Sequence, residues 1–301
     1  MCSPAFARDV RVLCSGMEHM EFLGEGNYAK VYKDTLANGF VVAKKVFQCK
    51  PDADKAFLET IFATEVEILQ RLSGHSHIVD IYNSHPALST IEMEYIHGPT
   101  LYEWWKANEF SSFNARSTAL FTVLKCMVSA LTYMKQYNCI HMDIKSDNIM
   151  VAGGDLSHCK LIDFGRSRFL GHSGRLHDQV WDEDINTVPC GAFCCQPPEV
   201  LLILKRHYEH RPVTDLSIGY GVDMYSTGVL MYLLCTDKYP YGCCASEPEN
   251  IPILLEKISI APWISNSKLM NYKELYPLVN KMLERDERKR CSTEDLVPVL
   301  R

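Results

Sequence analysis

His141-Met142-Asp143-Ile144-Lys145-Ser146-Asp147-Asn148 and Leu161-Ile162-Asp163-Phe164-Gly165 lie near the middle of a 301-residue chain, with Asp163 following Asn148 by 15 residues. Short apolar runs beside Asp143 and Asp163 read as strands. Upstream, residues 115–137 contain neither proline nor glycine and read as one long helix, with a shorter helix over 101–108 before it. Gly98-Pro99 is a hinge-like break. Ahead of the break, 17–47 read as paired strands turned by Asn38-Gly39, followed by a helix over 55–72 and strands over 78–82 and 90–96. Downstream, 166–198 lack periodicity, and a long irregular stretch in a compact domain is more often functional than structural. Helices resume over 222–234 and 273–284. The pattern is α+β: a small β-rich unit with one helix, then a larger, mainly helical unit. No internal repeat or low-complexity tract interrupts it.

The composition, 47% hydrophobic, allows one bilobal domain or two small ones. A formal net charge of -6 gives no reason to expect nucleic acid or an anionic membrane as main partner. The 13 cysteines are odd in number and lack framework spacing, which points to reduced thiols in the cytoplasm, the nucleus or both. Arg8, Asp9 and Arg11 interrupt any secretory signal, Cys2 stands where myristoylation needs glycine, and the apolar run 225–235 is too short to cross a bilayer. A soluble intracellular protein is expected, with no regulatory segment beyond Arg301.

Phosphoryl transfer needs a cradle for the phosphates, a cation on them, a metal holder and a group that orients the attacking hydroxyl. Gly24-Glu25-Gly26-Asn27-Tyr28-Ala29-Lys30-Val31, Val42-Ala43-Lys44-Lys45, Glu65-Val66-Glu67-Ile68-Leu69 and the two central segments occur in that order. Together they resemble the signature set of the eukaryotic protein kinase family, serine/threonine type. The resemblance implies a bilobal kinase fold over 17–301, with the N-lobe about 17–97, the C-lobe about 98–301 and 1–16 as a short extension. It also implies ATP and Mg²⁺ as cofactors and proteins as substrates. No motif bears on oligomeric state.

By that resemblance, Gly24 to Val31 form the glycine-rich loop over the nucleotide, with Ala29 replacing the third glycine. Ala43 and Lys45 belong to the nucleotide site, and Lys45 pairs with Glu65, Glu67 being the competitor. Met93 lines the back of the adenine pocket, and backbone groups of Glu94 and Ile96 bond the adenine edge. Asp143 orients the substrate hydroxyl and accepts its proton, Lys145 steadies the γ-phosphate, and Asn148 and Asp163 hold Mg²⁺. Gly191 to Glu199, Asp223 to Gly228 (Tyr225 where tryptophan is usual) and Asp286 to Arg290 resemble the motifs that hold a peptide platform. Arg290 is the expected partner of Glu199.

Several residues depart from the pattern. Met142 replaces the arginine that clamps an activation-segment phosphate, so a phosphate on Ser173 or Thr187 lacks that clamp unless Arg166 or Arg168 takes over, and activity without phosphorylation is expected. Asp182, Glu183 and Asp184 make the segment acidic, a solvated loop being the blander reading. Ala192 stands in place of threonine and Pro197 in place of alanine. Lys145, two residues after Asp143, favours serine/threonine chemistry. Rival readings are a pseudokinase acting as a nucleotide-binding scaffold and a small-molecule kinase of the choline or aminoglycoside type. Glu199, Asp223 and Arg290 speak against the latter.

Overall fold

The structure, a computed structural model, describes residues 20–26, 28–48, 55–177, 193–213, 217–241, 251–260 and 267–300. Asn27, Asp182, Glu183, Asp184, Thr187, Gly191 and Ala192 lie outside the described residues. The N-lobe is an antiparallel sheet of β1 (Glu21–Glu25), β2 (Ala29–Thr35), β3 (Val41–Phe47), β4 (Ile81–His85) and β5 (Thr90–Glu94), in the order β1-β2-β3-β5-β4. The β2–β3 turn works because Gly39 takes φ 82 and the Asn38 side chain accepts from the Phe40 N–H. Side chains alternate along β3, so Ala43, Lys45 and Phe47 share one face. Phe47 meets Phe62 edge-on at 5.4 Å, which docks helix α1 (Lys55–Leu72) on that face.

The buried residues of α1 are Leu58, Ile61, Phe62, Glu65, Ile68, Leu69 and Leu72, a single stripe at helical spacing. Glu65 lies on the stripe. Glu67 does not, and pairs at the surface with Arg71 instead. The expected strand over 78–82 is displaced: β4 starts at Ile81, while Ile78 bridges Leu161 and the Val79 N–H donates to the Leu161 carbonyl. That apolar run joins the lobes and leaves the sheet.

Gly98 is required at the break. Its φ is 153, and a Cβ there would lie 2.0 Å from the Val151 carbonyl oxygen. Beyond it, α2 (Leu101–Ala107) begins with a capping box between Thr100 and Glu103, and α3 (Phe113–Gln136) is capped by Ser112. Three two-stranded ribbons follow: β6 (Cys139–Ile140) with β9 (Arg168–Phe169), β7 (Ile149–Val151) with β8 (Cys159–Leu161), and β10 (Leu176–His177) with β11 (Ser217–Ile218). The later helices are α4 (Pro198–Tyr208), α5 (Gly221–Thr236), α6 (Ile251–Ile260), α7 (Ser267–Met270), α8 (Leu275–Met282) and α9 (Thr293–Leu296). Helices α4, α6, α7 and α9 went unanticipated. The run 225–235 is the middle of α5, which is buried on nearly every side and forms the axis of the lobe. By length and composition α3, not that run, is apolar enough to cross a membrane; here Leu120, Leu124, Met127 and Met134 bury it in the lobe.

Candidate active site

Lys45 Nζ stands between two carboxylates. It donates to Glu65 Oε1 and Oε2 at 2.7 and 2.8 Å and to Asp163 Oδ1 at 2.9 Å. Burial opposes its charge, but Asp163 and Glu65 outweigh that and raise its pKa. Burial raises the Glu65 pKa, with Lys45 opposing, whereas Lys45 holds the Asp163 carboxyl well below the usual carboxylate range. Asp163 takes φ 62, a left-handed turn that aspartate tolerates better than most residues. The turn sends Phe164 into the core against the His141 ring, 4.8 Å away. At Gly165 a Cβ would sit 3.2 Å from Glu65 Oε2 and 3.4 Å from Asp163 Oδ1, so glycine lets the turn close on the ion pair.

The second cluster surrounds Asp143. Its Oδ2 accepts from Lys145 Nζ at 2.9 Å and from Asn148 Nδ2 at 2.8 Å, with Arg166 Nε 3.9 Å away. The loop is hung from α5: the buried Asp223 carboxylate accepts the N–H groups of His141 and Met142 at 2.7 and 2.9 Å. Burial raises the Asp223 pKa against those interactions. His141 Nδ1 accepts the Asp143 N–H at 3.2 Å, and its Nε2 donates to the Ile162 carbonyl at 3.1 Å, so one imidazole joins both catalytic segments.

The two groups expected to hold metal fit a hard cation. Asn148 Nδ2 is spent on Asp143, which leaves the amide oxygen, and Asp163 is 48% exposed despite its ion pair. Among the described residues no cluster of three or more His, Cys, Asp or Glu forms a cage. Oxygen donors of this kind suit Mg²⁺, which is held by one or two protein groups plus substrate phosphates.

Over this seam, Gly24 and Glu25 end β1, the Gly26 N–H donates to the Ala29 carbonyl at 2.8 Å, and Val31 lies opposite Lys45. Lys30 is 3.9 Å from Glu25, and the Tyr28 ring meets Phe57 of α1 at 5.5 Å. Ala43 lies opposite Met93, which is buried, as is Ile96. The Glu94 N–H is committed to the Asp80 carbonyl at 2.8 Å, so an adenine contact from Glu94 falls to its carbonyl. Its carboxylate pairs with Lys160 at 2.7 Å, a contact that no local pattern announced.

The platform is held by Glu199 and Arg290, joined at 2.7 and 3.1 Å, with the guanidinium over the Tyr225 ring at 5.0 Å. Gln196, inside the Gly191 to Glu199 stretch, donates to the Met142 carbonyl and was missed as a site residue, whereas Arg166, expected only as a possible phosphate clamp, lies 3.9 Å from Asp143. Two cavities in the C-lobe, about 290 Å³ beside Tyr220 and about 550 Å³ beside Trp105, include none of the catalytic set. The expected site residues gather instead at the seam between the lobes.

Comparison with known proteins agrees with this geometry. The family model for the protein kinase domain matches residues 17–299. The chain is 27% identical over 284 residues to a probable serine/threonine-protein kinase, fhkD, of Dictyostelium discoideum, covering 90% of this chain and 35% of that protein. It is 31% identical over 245 residues to NUAK family SNF1-like kinase 2 of Homo sapiens, covering 80% of this chain and 33% of the relative. Serine/threonine-protein kinase ULK3 of Xenopus laevis is 28% identical over 276 residues, with 90% and 52% covered. The chain thus spans about a third to a half of the length of these relatives. With residues 17–299 matched and the ion-paired cleft in place, the chain belongs to the protein kinase family.

Proposed function

We propose that this chain transfers the γ-phosphoryl group of ATP to serine or threonine hydroxyls of protein substrates. The observation that carries the reading is Lys45, ion-paired at once with Glu65 and Asp163, together with an Asp143 that already holds Lys145 and Asn148. ATP and Mg²⁺, when bound, supply the phosphoryl group and neutralise its charge. Lys45, held in place by buried Glu65, offers a fixed cation to the phosphates, and Asn148 and Asp163 offer oxygens to the metal. Asp143 receives the acceptor hydroxyl, orients it and takes its proton as the bond to phosphorus forms, a role worth about 10²–10⁴-fold in rate. Lys145 lies beside that carboxylate and steadies the charge on the moving group.

The names of the relatives and Lys145 both support serine/threonine over tyrosine. Glu199 and Arg290 support a protein substrate, since they brace the segment where a peptide would lie. The seven cysteines among the described residues are buried, which supports a reducing compartment, the cytoplasm or nucleus. The reading requires no nucleic-acid or membrane partner.

The test is transfer from radiolabelled ATP to a mixed protein substrate, followed by phosphoamino-acid analysis. Phosphoserine or phosphothreonine is expected. Phosphotyrosine alone overturns the acceptor assignment, and nucleotide binding without any transfer overturns the enzyme in favour of a scaffold.

A further inference from the structure

Met142 occupies the place of the family's phosphate-clamping arginine, and its backbone takes φ 66 with the side chain wholly buried. A left-handed, non-glycine residue of this kind persists only where its surroundings impose it. Asp223 holds its N–H at 2.9 Å, and its carbonyl accepts from Gln196 Nε2 at 3.0 Å. That carbonyl belongs to the peptide unit leading into Asp143, whose N–H donates to His141 Nδ1 at 3.2 Å. Because a peptide unit is planar, pinning its oxygen and its N–H fixes the direction in which the Asp143 side chain departs.

Gln196 sits just ahead of α4, on the segment that Ser226 Oγ ties through the Cys195 carbonyl at 2.9 Å and that Glu199 ties to Arg290. Of these three ties, the one from Gln196 reaches the loop that bears Asp143. Its own position is costly. Gln196 is 1% exposed, and its Oε1 is buried without a partner among the described residues. An apolar side chain of equal size would fill the space without an orphaned oxygen, so the amide is explained by the one bond that Nε2 makes.

We infer that Gln196 is a positioning residue for Asp143, a latch that joins the peptide platform to the catalytic loop with no phosphate between them. The inference rests on the kinase reading above and adds how this site is held in register. Gln196→Met removes the donor at nearly constant volume; Gln196→Glu replaces it with a carboxylate that repels the Met142 carbonyl. Both should lower kcat by roughly tenfold, about 1.4 kcal/mol in the barrier, with KM for ATP within about twofold of the parent.

Gln196→Met trades one orphaned oxygen for another, so its Tm should stay within about 3 °C of the parent. Amide hydrogen exchange, read on the same proteins, needs no turnover. The Asp143 N–H should exchange several-fold faster in Gln196→Met. Parental exchange at Asp143 overturns the latch, as does a parental kcat, or a kcat loss matched by a large fall in Tm and a rise in KM. A parent protein that transfers no phosphate counts against the kinase reading instead, and the exchange comparison still decides the latch.

Discussion

Glu199→Ala strands the Arg290 guanidinium in a site where its side chain is 0% exposed, against 16% for Glu199. Breaking a buried ion pair from one side costs roughly 3–5 kcal/mol, because the remaining charge keeps its desolvation penalty without its partner. Arg290 is partly compensated: it also donates to the carbonyls of Gly221 at 2.8 Å, Glu284 at 2.9 Å and Arg285 at 3.4 Å. The Glu199→Ala cost therefore belongs at the low end, about 3 kcal/mol. Arg290→Ala removes those ties as well and orphans Glu199, which places it near about 5 kcal/mol. The double variant removes both charges, so no stranded group remains, and its cost should fall short of the sum by roughly 2–3 kcal/mol. Urea denaturation of the parent, both single variants and the double gives the cycle, and the Tm of Glu199→Ala should drop by about 6–12 °C. A double variant equal to the sum of the singles within about 0.5 kcal/mol would refute the coupling, and with it the idea that this pair braces the platform.

Lys45→Met, Asp143→Asn and Asp163→Asn should each cut phosphotransfer by at least roughly 100-fold with folding retained, and chelating Mg²⁺ should abolish it. Near-normal turnover in Asp163→Asn would sink the metal assignment. Because Lys45 depresses the Asp163 carboxyl, that group's contribution to stability is present above about pH 4, its unfolded value, and is lost as acid carries the pH through the lower folded value. Lys45→Met should therefore flatten the fall in Tm below about pH 4; an unchanged acid limb argues against it. Gly98→Ala, at φ 153 and with its Cβ 2.0 Å from the Val151 carbonyl oxygen, should destabilise by more than about 1 kcal/mol, and a parental Tm would contradict the hinge geometry. Phosphatase-treated protein should keep most of its initial rate; a loss of roughly tenfold or more, restored by rephosphorylation at Thr187, would show that a basic residue such as Arg166 or Arg168 performs the clamp.

Much of the site was readable before any coordinate was considered. The order and spacing of Asp143, Asn148 and Asp163 carried the family resemblance, and that resemblance alone preferred Glu65 to Glu67; the structure puts Glu65 on the buried stripe of α1 and Glu67 outside it. Local patterns failed where a segment serves a distant partner. The run at Ile78 and Val79 has strand composition, yet it is spent on Leu161. Helix α4 follows an aperiodic stretch and opens on Pro197-Pro198, so its start looks like a loop until Glu199 finds Arg290.

The sequence by itself determined the order of the main N-lobe elements and of the long C-lobe helices α3, α5 and α8, the α+β class and the residue types available for phosphoryl transfer, because turn chemistry, period and motif spacing are local properties. Only the tertiary structure decided which groups meet. Lys45 and Asp163 come together across 118 positions, Gln196 and Met142 across 54, and Glu94 and Lys160 across 66. Periodicity states that a face will be buried but not against what. The partner is chosen by the packing of whole elements around α5 and along the seam, where each buried charge or amide must find a complement or go unpaired.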